Sequence, residues 1–256
     1  MKIFRGFIGA GLALLLISSA AFVEAQTINY GSRVGNTITY SNIFEYSGTS
    51  PTPLYGSPIE VGDSLIFNQM TFSCLASNGS SHITDGDIAF FINSNGSYGQ
   101  WIDEIQFAEI GDLTLAGTGT PNTYDSAAIN VDLTIIAVNF APSPLGLLGD
   151  LVQTNVIFGT WTLPPPTNHD WNGSLTINLA SYLASQGYAG DHVTQVSLES
   201  DNTLSAGSET NTEAFIEKKT EGLEVTAMSM IPEPSTVCLL VLGGTLLLIG
   251  RFGRKH

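Results

Sequence analysis

Ala128-Ile129-Asn130-Val131-Asp132-Leu133-Thr134-Ile135 is the stretch that most clearly indicates the fold of this 256-residue chain. Apolar and polar residues alternate through it with a period of two. That spacing places one face of a β-strand on a core and the other face in solvent. Similar alternation recurs at 64–68, 70–75, 87–93, 155–163, 174–179, 193–198 and 223–228. The chain is therefore predicted to be all-β.

Turn signals separate these strand-like runs. Asn78-Gly79, Asn95-Gly96 and Asn172-Gly173 are dipeptides that suit tight hairpins, because both residue types tolerate positive φ. Many short strands joined by such turns are typical of an antiparallel β-sandwich, and a jelly-roll-like arrangement is expected.

One short helix is expected within this β-rich body. Leu179, Tyr182 and Leu183 recur at helical spacing, and Gly187 is a suitable stop. A second short turn is predicted over 212–219.

The N-terminus is predicted to be a secretory signal peptide spanning 1–25. Lys2 and Arg5 supply the positive charge, an apolar stretch follows over 7–17, and small residues precede the expected cleavage site after Ala25. Ala21 is the second choice. A signal peptidase is thus an expected partner, and the exported β-sandwich domain spans 26–228.

The C-terminus has three parts in a fixed order. The polar motif Pro232-Glu233-Pro234-Ser235 precedes an apolar run over 237–249, and Arg251, Arg254 and Lys255 follow as a basic tail. The apolar part is expected to hold the chain in the bilayer. The basic tail stays on the cytoplasmic side, since Lys and Arg are retained there. The motif is then presented at the outer membrane face.

This tail, at 231–256, resembles the PEP-CTERM sorting signal of Gram-negative bacteria. The resemblance also covers Leu239-Leu240 and Gly243-Gly244 in the apolar run, whereas Phe252-Gly253 interrupts the usual arginine cluster. It implies a hydrophobic sorting helix, cleavage near the motif by an exosortase, and an association with exopolysaccharide or biofilm matrix.

An ordinary membrane anchor is the alternative interpretation of the tail. The segment 236–250 has 15 residues, which span about 22 Å as a helix, whereas a hydrocarbon core is roughly 30 Å thick. The segment therefore suits a transient anchor better than a permanent one. A GPI signal is disfavoured because such a tail normally ends apolar.

The charge of the chain excludes one class of partner. The formal net charge is −15, and residues 26–231 carry only Arg33, Lys218 and Lys219 against 21 acidic residues. Such a domain repels nucleic-acid phosphates, so nucleic-acid binding is discarded. It also repels anionic membrane surfaces and acidic glycans unless divalent cations intervene.

Two groups of carboxylates are candidate sites. Asp85 and Asp87 flank Gly86 in a predicted turn, where calcium, which takes six to eight oxygen ligands, could bind. The alternative is a solvated turn with Asp as a turn-former. The second group, Asp103-Glu104, Glu109 and Asp112, follows Trp101. A glycan-active hydrolase would need two carboxylates about 5–10 Å apart across a cleft.

Aromatic residues suggest a sugar contact. Trp161 lies in an alternating stretch and is expected in the core, whereas Trp171 follows a proline-rich connection and is a candidate sugar platform. No nucleophile elbow, metalloprotease motif or phosphate loop is found in the sequence. A zinc site assembled from the dispersed His82, His169 and His192 has no support from their spacing.

These observations predict an exported, non-enzymatic protein of the cell envelope or extracellular matrix, without a required cofactor, anchored in the membrane before it is processed. Two alternatives stay open. One is a carbohydrate-binding module assisted by calcium, and the other is a glycan-active hydrolase.

Overall fold

The computed structural model describes residues 27–68, 71–95, 100–143, 145, 150–219 and 223–228. The predicted signal peptide and the predicted sorting tail both lie outside the described residues. Within the described part, no helix has the length and apolar character needed to cross a bilayer.

The described residues form fourteen strands and one short helix, α1 (Leu179–Ser185). In chain order the strands are β1 (Ile28–Val34), β2 (Ile38–Tyr46), β3 (Ile59–Val61), β4 (Ser64–Phe67), β5 (Ser73–Ser77), β6 (Ser81–Ser94), β7 (Glu104–Gly117), β8 (Tyr124–Val138), β9 (Ala141–Pro142), β10 (Asp150–Thr162), β11 (Thr167–Asn178), β12 (Val193–Gly207), β13 (Thr212–Lys218) and β14 (Leu223–Met228).

The strands build two antiparallel sheets of seven strands each, which confirms the predicted all-β sandwich. The first sheet has the order β1-β2-β6-β12-β8-β10, with β9 beside β8. The second has the order β3-β4-β14-β7-β13-β5, and β11 pairs with β7 along its other edge. Strands β6, β8 and β12 form the long centre of the first sheet, and β7 is the centre of the second.

The core lies between the inner faces of the sheets. In β8, Ile129, Val131 and Leu133 are buried, whereas Asn130 and Asp132 point to the opposite face. Full burial of one such aliphatic side chain contributes about 1.5–3 kcal/mol. The alternation in the sequence thus determines which face of each strand becomes the core.

The short helix and one hairpin agree with their predictions. Leu179 and Leu183 are buried on α1, and the Asn178 side chain caps the helix by accepting a hydrogen bond from the Ser181 amide at 2.7 Å. In the Asn78-Gly79 turn between β5 and β6, the φ angles are 52° and 86°. These left-handed values explain the choice of Asn and Gly.

Three turn predictions are wrong. The range 212–219 contains β13 rather than a short turn. Asn172-Gly173 lies inside β11 rather than at its end, and Asp85-Gly86-Asp87 lies inside β6. A Cβ at Gly173 would lie 2.1 Å from Cγ of Phe158. Gly173 is therefore needed to make room for a ring from the neighbouring sheet. The predicted turn at Asn95-Gly96 extends into residues outside the described part.

An aromatic seam, formed by Phe158, Trp161 and Trp171, joins the two sheets where β10 approaches β11. The Trp171 ring centroid lies 6.4 Å from that of Phe158 and 6.1 Å from that of Trp161. Trp171 also covers Gly111 on β7, where a Cβ would lie 2.4 Å from the indole Nε1 and 2.1 Å from the carbonyl oxygen of Glu217. The seam closes one side of the sandwich.

Gly111→Ala is expected to lower the free energy of unfolding by about 1–3 kcal/mol, because the added methyl group overpacks the space beneath Trp171. Urea denaturation measures this change. Gly48→Ala is the matched control, because a Cβ at Gly48 meets no atom within 4 Å. Equal stability of the two variants would contradict the packing described for the seam.

Candidate functional site

The outer face of the first sheet carries a group of carboxylates. Asp85 and Asp87 project from β6, and Glu199 and Asp201 project from the neighbouring β12. All four occupy outward positions, because the residues that alternate with them, such as Ile88 and Leu198, are buried. We call these four residues the acidic face.

Strand register places like charges opposite each other on this face. Asp87 is the partner of Asp201 across β6 and β12, and Glu199 is the partner of Asp132 across β12 and β8. Directly opposed residues have Cβ atoms about 4.5–5.5 Å apart, and like charges in such pairs destabilise a sheet. Two acidic pairs in adjacent rows therefore impose an electrostatic cost on the fold.

Neutral hydroxyl groups hold part of the acidic face in place. Thr203 Oγ1 donates a hydrogen bond to Asp85 Oδ1 at 3.1 Å, and the Tyr46 hydroxyl donates one to Glu199 Oε1. Asp85 and Asp201 are close enough that the carboxyl group of Asp85 raises the pKa of Asp201.

None of the three Lys and Arg residues in the described part lies on this face. Arg33 donates to Pro58 O and Ser57 Oγ near the sheet edges, and Lys219 forms ion pairs with Asp112 and Asp170. Lys218, the third of them, is buried between the sheets. The acidic face therefore attracts cations from solution.

Burial and neighbouring charges alter the acidity of the face. Burial raises the pKa of Asp87 to about 6, with further increases from the charges of Asp85 and Glu199. The pKa of Asp201 is raised to about 7, first by burial and then by its hydrogen bond to Asp85 and the surrounding carboxylates. Both shifts favour the protonated, neutral form of the carboxyl group.

A shallow polar concavity of about 410 Å³ adjoins the acidic face. Its lining includes Asp201 and Thr203 from β12, Asn130 from β8 and Asn155 from β10. Asn130 is paired with both Asp201 and Asn155 in the ladder, so the polar groups form a row across three strands. These side chains offer amide, hydroxyl and carboxyl groups to a polar ligand.

The predicted pair Asp85 and Asp87 thus lies together with two further carboxylates, Glu199 and Asp201. The sequence analysis missed those two because they are more than 100 positions away in the chain and join the pair only through sheet pairing. Asp85, Asp87 and Asp201 are the residues that could supply oxygen ligands to a cation. As placed in the described ranges, however, neither these three nor any other group of three or more His, Cys, Asp or Glu side chains could hold a metal ion.

The prediction that Trp171 contacts sugar is wrong. Its side chain is only 2% exposed, because Phe158, Trp161 and Gly111 surround the ring. Trp161, expected in the core, is partly buried and packs against the core. Trp171 is the more deeply buried of the two, because it points inward on β11.

The second carboxylate group is dispersed by the fold. Asp103 contacts His192 Nδ1 at 3.3 Å, and the neighbouring Trp101 stacks on the same imidazole ring. On β7, Glu109 points into the core and Asp112 points to the outer face. These carboxylates do not converge on one cleft.

Neither a protein-family model nor a curated protein matches this chain. A structure from a comparison of family 12 glycoside hydrolases, and of recruited substitutions important for their thermal stability, aligns with 80% of this chain and 99% of its own, at 14% identity and a TM-score of 0.23. A mutant VP2 protein of infectious bursal disease virus aligns with 86% of this chain and 59% of its own, at 10% identity and a TM-score of 0.18. These scores are too low to support an argument about function.

The acidic face is expected to make stability fall as the pH rises. Because the folded-state pKa values of Asp87 and Asp201 are raised to about 6 and 7, their contribution to stability is fully present below the unfolded pKa of about 4 and is lost as the pH rises from there through the folded pKa values. Asp201→Asn should match the wild type at about pH 3 and exceed it at about pH 8 by about 1 kcal/mol, a value discounted for partial exposure.

Urea denaturation at both pH values measures this difference. Glu60→Gln is the control, since it removes one negative charge from an exposed position on β3 in the second sheet. An equal gain from both variants at pH 8 would show that net charge, rather than the acidic face, causes the effect.

Proposed function

We propose that the chain is an exported, non-enzymatic protein of the cell envelope or extracellular matrix, sorted and cleaved through its C-terminal signal. The observation that carries this proposal is the order of motif, apolar run and basic tail over 232–255. Recognition by an exosortase at the outer membrane face accounts for all three parts. Association with extracellular polysaccharide follows from the resemblance to PEP-CTERM proteins.

Two properties of the described domain support this proposal. The last strand, β14, ends only three residues before the Ile231 that opens the tail region, so a tethered domain would sit close to the membrane until it is cleaved. The strongly acidic domain also suits a secreted protein, because excess negative charge favours solubility and opposes association with anionic membranes.

A second proposal is the binding of a neutral carbohydrate with the help of calcium. The acidic face and the adjoining concavity favour it, since Asp85, Asp87 and Asp201 would share a cation while Asn130 and Asn155 would bond sugar hydroxyls. A calcium ion would also offset the repulsion between the paired carboxylates. A neutral glycan is preferred because the domain repels acidic ones.

Processing is tested by comparing the wild type with a triple variant in which Pro232, Glu233 and Pro234 are replaced by Ala, each recovered from the native host. Mass analysis of intact protein and terminal peptides is expected to show a wild type that starts at Gln26 and lacks Arg251–His256. The variant should keep the tail, because the exosortase motif is gone. A wild type that retains Arg254 and Lys255 would contradict the sorting proposal and indicate a simple anchor.

Carbohydrate binding is tested by retention on immobilised neutral glycans in the presence of calcium. Loss of two polar contacts in the double variant Asn155→Ala, Asp201→Asn should weaken retention roughly tenfold, and a chelator should weaken wild-type retention. Asn168→Ala, exposed on β11 in the other sheet, should bind normally. Equal retention of all three proteins, or no retention by the wild type, would contradict this proposal.

A further inference from the structure

The interior of the sandwich brings an amine, a carboxyl group and a primary amide into contact. Lys218 Nζ lies 2.5 Å from Glu109 Oε2, and both side chains are fully buried. The same amine donates a hydrogen bond to the side-chain carbonyl oxygen of Asn202, which is also fully buried. Glu109 and Lys218 belong to the second sheet and Asn202 to the first, so the cluster bridges the sheets.

The surroundings of this cluster hold the amide in one orientation. Asn202 Nδ2 donates to the Tyr55 hydroxyl at 2.9 Å, and that hydroxyl donates to Gly86 O at 2.6 Å. The Phe72 ring lies beneath the amine, with its centroid 5.1 Å from Nζ. The amide group is thereby fixed beside the amine in an apolar environment.

As an ion pair alone, this arrangement has a large desolvation cost. Apart from their contact with Lys218, the two oxygens of Glu109 have no hydrogen-bond partner in the described part of the chain. Transfer of two charged groups from water into the core costs several kcal/mol of folding free energy for each ion. A protein in which apolar residues of similar volume replace a buried ion pair is often equally stable. Because burial of this cluster is costly, the cluster is a candidate for a chemical role.

Burial changes the charge states in the direction that favours reaction. It lowers the pKa of the Lys218 amine and raises the pKa of the Glu109 carboxyl group, because each charged form is deprived of water. The low-dielectric interior therefore favours a neutral amine beside a neutral acid. A neutral amine is a nucleophile, and a neutral carboxyl group can donate a proton.

We propose that Lys218 and Asn202 form an intramolecular isopeptide bond in the folded protein, with Glu109 as the catalytic acid and base. Lys218 Nζ attacks Cγ of Asn202 and forms a new C–N bond. Neutral Glu109 gives its proton to Nδ2 as the Cγ–Nδ2 bond breaks and ammonia leaves, and the resulting carboxylate takes a proton from Nζ. Glu109 ends in its starting state, and no oxidant or cofactor is consumed.

The bond would join β12 of the first sheet to β13 of the second. The region 26–228 contains a single cysteine, Cys74, so an internal disulfide cannot link the sheets. An amide cross-link supplies a covalent connection that does not depend on redox conditions. This inference rests on the core cluster and is independent of the tail and of the acidic face.

Peptide mapping of the purified folded protein tests the proposal. Cleavage after glutamate releases 200–209, which contains Asn202, and 218–221, which contains Lys218. The expected product is one joined species, about 17 Da lighter than the two peptides together because one ammonia is lost. Intact mass alone is not decisive, since an N-terminal Gln26 would lose the same mass on cyclisation.

Glu109→Gln and Lys218→Met are expected to give separate, unjoined peptides, because each removes a group that the reaction needs. Lys219→Met is the matched control and should keep the joined species, since Lys219 pairs with Asp112 and Asp170 outside the core. The peptide map of the wild-type protein tests the isopeptide proposal even if a variant fails to fold. Two separate wild-type peptides at full mass would overturn the proposal and leave a non-covalent ion pair.

Discussion

The fully buried contact between Lys218 and Glu109 is the interaction that most strongly constrains this sandwich. Breaking such a pair by removing one partner typically costs about 3–5 kcal/mol. The pair therefore fixes the register of β13 against β7, because a slip of one residue would turn Lys218 outward and bring its neighbour Lys219 into the core. Asn202 and Tyr55 extend the same constraint across to the first sheet.

The surroundings of the pair are arranged to accommodate it. Gly86 has no side chain, and a Cβ there would lie 2.7 Å from Leu54 and 2.8 Å from Phe72. The segment that carries Leu54 and Tyr55 can therefore pack directly on β6, and the Tyr55 hydroxyl reaches Gly86 O. Glu45 stabilises that segment from the other side by accepting hydrogen bonds from the Leu54 amide and the Tyr30 hydroxyl. Close packing and polar contacts thus depend on each other here.

The sequence predicted the features that depend on local pattern. The alternation at 128–135 identified an inward and an outward face, and the spacing of Leu179 and Leu183 identified the helix. The long strand β7 was missed because Glu109 lies at an inward position, where a charged residue conceals the period-two pattern. The inward position of Glu109 is explained only by its contact with Lys218 on β13.

Features that depend on pairing between distant strands could not be predicted from local sequence pattern. Asp85 and Asp87 were recognised as a local pair, whereas Asp201 and Glu199 join them through the pairing of β6 with β12. Asn172-Gly173 has the composition of a turn, but Gly173 is selected by the Phe158 ring of the other sheet. Trp171 was misjudged for a related reason, since its burial depends on β10.

An atomic-resolution crystal structure of the protein, inspected at Lys218, tests this account most directly. The account predicts that Nζ lies between the two sheets, against Glu109 and Asn202, with Lys219 on the outer face of the second sheet. A Lys218 side chain in solvent, with β13 shifted by one residue against β7, would contradict it.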